Sequence, residues 1–317
     1  MARILLVKTS SLGDVVHNLP VVTDITTAIP GAEIDWVVEE AFASLPALHS
    51  KIRRVLPVAI RRWRKNPFAA GTFTELRSFC EALRSRNYDA VVDTQGLLKS
   101  ALIARLAHGK RFGLAWKASR EPVSAFYDRT FDVPWTMHAV ERNRTLAAYA
   151  LGYTPARGVG YAICAAPNEF SWLGSGPYAV FIHATSARAK LWPEPRWAAL
   201  AQTLSADGVR CVLPWGSEDE HARSTRLSSS MPGAVIPPKL SVSEVASLLA
   251  GARCVMGVDT GLTHLAGALG IATVGIYVST DPAATGLYGC KRAANAGRQN
   301  ANPTVEEVMR VLGQLPK

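Results

Sequence analysis

The sequence predicts an α/β fold of two doubly wound, Rossmann-like domains, and three observations lead to this prediction. Apolar strand patterns alternate with helical patterns, the alternation begins again after a stretch rich in Gly, Pro and Ala over about 151–177, and each half starts with a strand followed by a loop of Thr, Ser and Lys. At 317 residues the chain is long enough for two hydrophobic cores. We therefore expect an N-terminal domain over 1–160 and a C-terminal domain over 161–317.

In the first half, the apolar run from Arg3 to Val7 predicts the first strand. A polar loop then leads to a helix that contains Pro20, which is expected to kink it. Because strands joined through helices run in the same direction, the sheet is expected to be parallel. The other expected strands are 34–38 and 88–93, and the expected helices lie over about 73–86, 97–107 and 139–151.

The second half repeats this alternation of strands and helices. The expected strands are 178–183, 209–213, 254–258 and 271–278, and the expected helices are 194–206, one that opens at Glu218, and 243–250. An amphipathic pattern over 304–312 predicts a final helix, and from the sequence this helix can pack on either domain.

The segment from Arg253 to Gly270 predicts a strand, an abrupt corner and a helix in direct succession. Asp259, Thr260 and Gly261 form the corner, at the carboxyl end of the strand, where open α/β sheets bind ligands. The first N–H groups of the following helix have no partner within the helix, and its dipole favours an anion such as a diphosphate. These residues alone are equally consistent with an ordinary N-cap.

Composition excludes several classes of protein. Charged residues make up 19% and hydrophobic residues 48% of the chain, and no apolar run approaches the length of a membrane helix, so a cytoplasmic globular protein is expected. The five cysteines are odd in number and include no C-x-x-C pair, which argues against a disulfide framework or a zinc site. Nucleotide-binding glycine motifs and a metal-binding D-x-D pair are also absent from the sequence, so no metal or other cofactor is expected.

The distribution of charge indicates a polyanionic partner for the first half. Residues 1–160 contain 22 basic and 14 acidic side chains, a net charge of +8, whereas 161–317 contain 13 and 11, a net charge of +2. A basic surface of this kind suits nucleic acid, an anionic membrane or a phosphorylated substrate.

Seven of the fifteen residues over 51–65 are basic. One interpretation is a solvated, charged surface. Another is an anion-binding grip in which arginine side chains around Trp63 hold carboxylates or phosphates, with Arg120 joining them. A third, which charge alone permits, is nucleic-acid binding with Trp63 stacked on a base. The basic side chains in question are Arg61, Arg62, Arg64 and Lys65.

Several segments match one known family in order and spacing. They are KTSSLGDVVHNLP, DWVVEE, PVAIRRWRK, YDAVVDTQGLLKSA, SREP, HAVER, LPWGSEDE and VDTGLTHLAGALG. Through these segments the chain resembles the bacterial lipopolysaccharide heptosyltransferases of glycosyltransferase family 9, and the resemblance runs from Arg3 to about Pro282. After the last strand it carries V-S-T-D-P, where family members typically have a stretch like G-P-T-D-P.

The resemblance implies a GT-B glycosyltransferase whose two domains face a central cleft, with the acceptor on the N-terminal domain and the nucleotide sugar on the C-terminal one. The implied donor is ADP-L-glycero-D-manno-heptose, and the implied acceptor is the inner Kdo of Kdo2-lipid A. The implied transfer inverts the anomeric centre without a metal. A monomer at the cytoplasmic face of the inner membrane, with no nucleic-acid partner, is expected. The alternative within the family is an enzyme that adds a later core heptose.

The resemblance also implies roles for individual residues. Asp14 would be the catalytic base, and Lys190 would offset the charge that develops on the leaving diphosphate. From the residues alone, Asp14 can equally serve only as a cap of its helix. The implied donor contacts are Thr185, Ser186, Lys190, Glu220, Asp259, Thr260, Gly261, Leu262 and His264. The implied acceptor contacts are Ser10, Ser11, Gly13, Arg61, Arg62, Lys65 and Arg120.

Overall fold

A computed structural model describes residues 1–316 of the chain. The chain divides into two compact units, one over Met1–Ile163 and a second that begins at Cys164. Each unit is built on one parallel sheet with helices between the strands, as the alternating pattern predicts. Among the described residues, no helix has both the length and the apolar character needed to cross a bilayer.

The sheet of the first unit has six parallel strands in the order β3-β2-β1-β4-β5-β6. Val7, at the end of β1, pairs with Val37 of β2 and with Asp93 of β4. The loops that follow β1, β2 and β4 therefore lie together at the carboxyl-terminal end of the parallel strands. The strands are β1 (Arg3–Val7), β2 (Glu33–Glu39), β3 (Ile52–Val58), β4 (Asn87–Asp93), β5 (His108–Leu114) and β6 (Arg129–Phe131).

The helices of the first unit cover this sheet. Helix α1 contains Pro20, and most of its residues from Val15 to Ile25 are buried. The helices are α1 (Leu12–Ala28), α2 (Ser44–Ala47), α3 (Ile60–Lys65), α4 (Ala70–Arg84), α5 (Leu98–Leu106) and α6 (Ala139–Leu151).

A buried ion pair joins α1 to α6. Arg144 and Asp24 have side chains only 2% and 3% exposed, and they form two hydrogen bonds of 2.7 and 3.0 Å. Arg144 also donates to Glu141 and to the backbone oxygens of Ala156 and Gly158. Burial alone would lower the pKa of Arg144, but its carboxylate partners raise it above its ordinary value.

Replacing Asp24 by alanine is expected to lower the free energy of unfolding by roughly 3–5 kcal/mol, because the guanidinium of Arg144 is then left buried without its main counter-ion. Glu141→Gln is the matched control, since Glu141 is more exposed and its loss leaves the Asp24 pair intact. Urea denaturation measures both variants. Equal losses in the two variants would contradict the central role given to Asp24.

The sheet of the second unit has five parallel strands in the order β11-β10-β9-β7-β8. The strands are β7 (Tyr178–Ile182), β8 (Arg210–Val212), β9 (Cys254–Val258), β10 (Thr273–Tyr277) and β11 (Ala293–Gly297). The helices are α7 (Glu194–Ala206), α8 (Glu218–Ser228), α9 (Val242–Ala250), α10 (Gly261–Ala268), α11 (Pro282–Thr285) and α12 (Val305–Gly313).

Large aromatic side chains fill the core of the second unit. Trp192 and Trp197 are fully buried, with ring centroids 5.1 Å apart, and Phe181 of β7 packs on Trp197. Val308 and Val311 of α12 belong to the same core. The last helix therefore packs on the second unit, against α7, β10 and β11.

Four strands were not predicted from the sequence, and three of them lie at sheet edges. β3 and β6 are the edges of the first sheet and β11 is an edge of the second. An edge strand tolerates charged and small residues and even proline, so it lacks the apolar pattern of a central strand. The basic run 51–65, for which the sequence alone leaves a charged surface and an anion grip as alternatives, contains the strand β3 over residues 52–58 and the helix α3 over residues 60–65. The strand β5 begins with His, Gly, Lys and Arg, which conceals it in the sequence.

Candidate active site

The predicted corner of the second unit is organised around the carboxylate of Asp259, at the end of β9. Its Oδ2 accepts hydrogen bonds of 2.7 Å from the ammonium of Lys190 and the hydroxyl of Thr280. Its Oδ1 lies 3.4 Å from Nε2 of His264. The structure thus brings together three residues that the sequence nominated, and it adds Thr280, which lies in the V-S-T-D-P stretch.

Asp259 is only 6% exposed, yet it remains an anion. Burial alone would raise its pKa, but hydrogen bonds from His264, Lys190 and Thr280 hold the pKa well below its ordinary value. The carboxylate therefore fixes the position of the Lys190 ammonium. A lysine ammonium has three N–H donors, so two remain for oxygen atoms of a ligand.

The helix α10 starts directly after this carboxylate. Gly257 lets the helix approach β9, since a Cβ at that position would collide with Thr263 Oγ1 and come within 3.0 Å of Ile182. Thr263 Oγ1 in turn donates to the backbone oxygen of Val258 at 2.7 Å. This packing aims the first turn of α10, whose amides include those of Gly261 and Leu262, beyond the end of β9.

The loop after β7 lies beside the same corner. Thr185 Oγ1 donates to the backbone oxygen of Asp259 at 3.2 Å, whereas Ser186 is exposed. The loop starts at His183, which is buried against Ser224 of α8 with 2.9 Å between Nε2 and Oγ. Burial lowers the pKa of His183 to about 3, so this side chain is neutral at physiological pH and anchors the loop to α8.

Glu220 occupies a separate position, in the first turn of α8. Its Oε2 accepts a 2.7 Å hydrogen bond from the amide of Gly216, and its own amide contacts Ser217 Oγ at 3.3 Å. Within residues 1–316, no direct hydrogen bond or ion pair connects Glu220 with Lys190 or Asp259. Glu220 nevertheless follows β8, which is the neighbour of β7, so both following loops lie at the carboxyl-terminal end of the strands.

In the first unit, Asp14 sits in the first turn of α1 and is half-buried. Its Oδ2 accepts 2.8 Å hydrogen bonds from both the amide and the hydroxyl of Ser11. No hydrogen bond in the described part of the chain involves its Oδ1. The carboxylate therefore caps its helix through one oxygen and offers the other to a ligand. Gly13 precedes it within the same turn.

Two residues of the segment after β4 hold the loop that carries Ser10 and leads into the helical turn of Asp14. Gln95 Oε1 accepts hydrogen bonds of 3.1 Å from the amides of Thr9 and Ser10, and Lys99 Nζ donates to Ser10 Oγ at 2.6 Å. Sequence reasoning assigned no role to Gln95 or Lys99, although both lie in the matched segment YDAVVDTQGLLKSA.

A buried lysine lies behind this loop. Lys8 is 6% exposed, and its ammonium donates to the backbone oxygen of Thr94 at 2.9 Å and contacts Asn143 Oδ1 at 3.4 Å. Burial lowers its pKa, while the negative charges of Asp14 and Asp93 oppose that effect. Lys8 therefore lies within electrostatic range of Asp14.

The basic residues predicted as an anion grip separate into two groups. Arg62 is held by two carboxylates, Glu40 at 2.9 Å and Glu75 at 2.8 Å, which raise its pKa. Arg61 instead lies over the ring of Phe42, 5.0 Å from its centroid. Among residues 1–316, no carboxylate lies within 4.0 Å of the side-chain nitrogens of Arg61 or Lys65. Arg61 and Lys65 are thus more available to an anionic ligand than Arg62.

Trp63 has a structural contact on its polar edge. Its Nε1 donates to Glu75 Oε2 at 2.7 Å, and its ring packs edge-on against Phe79 at 6.2 Å. The indole thus joins α3 to α4. This arrangement gives no support to the alternative in which Trp63 stacks on a nucleic-acid base.

A second cationic cluster surrounds Trp135. The guanidinium of Arg142 lies 3.6 Å from the ring centroid, and that of Arg120 lies 5.8 Å from it. Arg142 Nη2 donates to the backbone oxygen of Ala118 at 2.8 Å, whereas its buried Nε has no hydrogen-bond partner among residues 1–316. Burial and the charge of Arg120 lower the pKa of Arg142 to about 10. Within residues 1–316 neither Arg120 nor Arg142 forms an ion pair, so both guanidinium groups beside this indole are available to an anion.

Sequence reasoning nominated Arg120 but missed Arg142. The available signal was its place in HAVER, one of the matched segments. No group of three or more His, Cys, Asp or Glu side chains suited to a metal ion occurs within residues 1–316.

Comparisons with known proteins match the whole chain to one family. A sequence profile described as Glycosyltransferase family 9 (heptosyltransferase) matches residues 76–313. Lipopolysaccharide heptosyltransferase 1 of Escherichia coli strain K12 is 46% identical over 318 residues, which cover 99% of this chain and 100% of that protein. Lipopolysaccharide heptosyltransferase 1 of Pseudomonas aeruginosa is 47% identical over 291 residues, covering 90% of this chain and 81% of that protein.

Solved structures agree with this match. The structure of E. coli heptosyltransferase WaaC with ADP superposes with a TM-score of 0.88 at 44% identity, covering 98% of this chain and 99% of that chain. The structure of E. coli ADP-heptose lps heptosyltransferase II superposes with a TM-score of 0.77 at 19% identity, covering 98% of this chain and 99% of that chain. At this identity the match shows a shared fold. The predicted α/β fold with two Rossmann-like domains of the GT-B type is confirmed.

Proposed function

Because the chain belongs to glycosyltransferase family 9 and is a lipopolysaccharide heptosyltransferase, we propose that it transfers L-glycero-D-manno-heptose from ADP-heptose to the inner Kdo of Kdo2-lipid A. The transfer inverts the anomeric carbon and needs no metal. The observation that carries the proposal is the group of Asp259, Lys190 and Thr280 beside the first turn of α10, which is suited to a diphosphate.

On the donor side, the second unit supplies positive charge and N–H donors without a metal. Lys190 directs its two remaining N–H donors to diphosphate oxygens, and the first amides of α10 bind the same group from the helix end. Thr185 and Ser186 provide hydroxyl contacts from the neighbouring loop, while Oε1 of Glu220 accepts from ribose hydroxyls. Asp259 acts mainly by holding Lys190, since a free carboxylate would repel the diphosphate.

The reaction requires a base on the acceptor side. Oδ1 of Asp14 takes the proton of the acceptor hydroxyl as the hydroxyl oxygen attacks the anomeric carbon of heptose. A bond forms between these two atoms while the bond from the anomeric carbon to the diphosphate oxygen breaks, and ADP leaves with the electron pair. Lys190 stabilises the charge that develops on the diphosphate. Attack opposite the leaving group inverts the anomeric centre.

The acceptor carries carboxylates and phosphates, and the first unit offers unpaired cations to meet them. Arg120 and Arg142 around Trp135 form one candidate contact, and Arg61 with Lys65 forms another. The net charge of +8 over residues 1–160 agrees with an acidic acceptor on this unit.

Replacing Arg142 by alanine is expected to raise the KM for the acceptor by roughly 10- to 100-fold, because a charged hydrogen bond to an acceptor anion is lost. The KM for the donor should stay nearly unchanged. Arg62→Ala is the matched control, since Arg62 is already held by Glu40 and Glu75. Steady-state kinetics with each substrate varied in turn measure both effects. A larger rise in acceptor KM for Arg62→Ala than for Arg142→Ala would contradict this assignment.

The proposed function is tested by measuring ADP release from ADP-heptose with and without Kdo2-lipid A. Acceptor-dependent release that persists in EDTA supports the first heptose transfer and metal independence together. Release only with an acceptor that already bears heptose would instead favour a later transfer in core assembly. Strong inhibition by EDTA would contradict the metal-free mechanism.

A further inference from the structure

An exposed apolar tip projects where α3 ends and α4 begins. Every residue from 64 to 71 is exposed, and the phenyl ring of Phe68 is 100% exposed. Phe73 and Leu76, in the first turns of α4, are 73% and 41% exposed. Large apolar side chains rarely stand in water as a group on a soluble domain, so such a patch indicates an interaction surface. We define residues 64–76 as the tip.

The charged side chains of the tip that form no ion pair among residues 1–316 are all positive. Arg64 and Lys65 have no carboxylate within 4.0 Å among residues 1–316, whereas the neighbouring Arg62 and Arg77 are neutralised by ion pairs. The tip has one carboxylate, Glu75, and this group is engaged by Arg62. Apolar side chains next to unpaired cations, without free acidic groups, complement an anionic bilayer better than an ordinary protein surface.

The base of the tip is fixed to the unit. Glu75 of α4 binds Arg62 of α3 and also accepts from Trp63 Nε1, so the two helices are joined on both sides of the exposed turn. Within the turn, Thr72 Oγ1 donates to the backbone oxygen of Asn66 at 2.8 Å. A tip held in this way presents its phenylalanines without ordering a disordered segment on binding.

We propose that the tip docks on an anionic lipid surface, with Phe68, Phe73 and Leu76 in the interfacial layer and Arg64 and Lys65 at the headgroups. This rests on the proposed function in one respect, namely that the acceptor is a lipid. Arg61 lies in α3, directly before the tip. A docked tip would therefore hold the proposed acceptor-binding cations at the membrane surface, where a lipid acceptor lies. The occupant is the bilayer itself, so docking does not require acceptor in the vesicle.

The test measures binding of the full-length protein to phosphatidylglycerol–phosphatidylcholine vesicles that contain no acceptor, by co-sedimentation. The variant Phe68→Ser with Phe73→Ser is expected to lose roughly tenfold in partitioning for each phenylalanine removed from the interface. Leu102→Ser is the matched control, because Leu102 is an exposed apolar residue of α5, 48% exposed and outside the tip. Circular dichroism and ADP binding confirm that each variant is folded.

Kinetics separate this proposal from the proposed function. With a soluble, fully deacylated acceptor, the double variant should release ADP at the wild-type rate, whereas with acceptor embedded in vesicles its rate should fall with its loss of binding. Undiminished vesicle binding by the double variant, or wild-type binding only to vesicles that contain acceptor, would overturn the tip proposal. A wild-type dimer that the double variant abolishes would assign the tip to a second copy and overturn it as well. Failure of the wild-type protein to use any acceptor would count against the proposed function alone.

Discussion

Asp14→Asn is expected to lower kcat by roughly 10²- to 10⁴-fold, the usual contribution of a general base, while ADP binding stays nearly intact. Asparagine keeps an oxygen that accepts from Ser11, so the start of α1 is preserved and only the ability to take a proton is removed. Turnover is measured as acceptor-dependent ADP release, and ADP affinity by calorimetry.

Asp14→Ala separates the two roles of this carboxylate. It removes the helix cap as well as the base, so it should abolish turnover and also cost roughly 0.5–2 kcal/mol of stability. If the asparagine variant were as active as the wild type while the alanine variant lost activity in proportion to its stability, Asp14 would be a cap only. Loss of ADP binding in either variant would likewise mark a structural role.

Lys190→Met is expected to lower kcat by roughly 10²- to 10³-fold, because it removes a preorganised cation from the position where charge develops on the leaving diphosphate. The binding of ADP should weaken less, since the first turn of α10 and the hydroxyl contacts remain. Single-turnover kinetics with ADP-heptose separate the chemical step from binding. A variant that loses ADP affinity but keeps kcat would show that Lys190 binds substrate and transition state equally.

The variant Asp259→Asn, compared with Lys190→Met, tests how far Lys190 depends on the carboxylate that holds it. The carboxylate has a pKa below its ordinary value, so its ionised form stabilises the fold at every pH above that ordinary value. This stabilisation is lost as the pH falls further, through the lowered pKa. In the Asn variant the Lys190 ammonium remains but is no longer fixed, so we expect a smaller loss of kcat than in Lys190→Met.

The central elements of the fold could be predicted from the sequence because buried parallel strands are apolar and continuous. The strand 254–258 and the helix 194–206 are found as predicted. Three of the four edge strands, β3, β6 and β11, lacked this signal. β3 was concealed within the basic run, where Arg54 forms an ion pair of 3.0 Å with Asp35. The sequence shows that such an arginine is charged, but it does not show which carboxylate forms an ion pair with it.

The same limit applies to the candidate site. The corner at Asp259 could be found because a strand, turn and helix follow each other directly in the chain. Gln95 accepts from the amides of Thr9 and Ser10 across 86 and 85 positions of sequence, and no local pattern announces such a contact. The same holds for Glu39, which accepts from the amide of Arg61 in the first turn of α3. Arg62 was nominated by composition, but its pairing with Glu75 appears only once α3 and α4 are placed.

The hydrogen bonds from Thr9 and Ser10 to a single oxygen of Gln95 have a consequence for how this enzyme can be recombined with its relatives. The loop just before the helical turn of Asp14 is held by a side chain 86 and 85 positions further along the chain than Thr9 and Ser10. A chimera joined between these segments would inherit the loop from one parent and its support from another. A crossover after residue 100 keeps Thr9, Ser10 and Gln95 from the same parent and so preserves these hydrogen bonds. The segment to exchange between relatives is therefore longer than the first β-strand and helix.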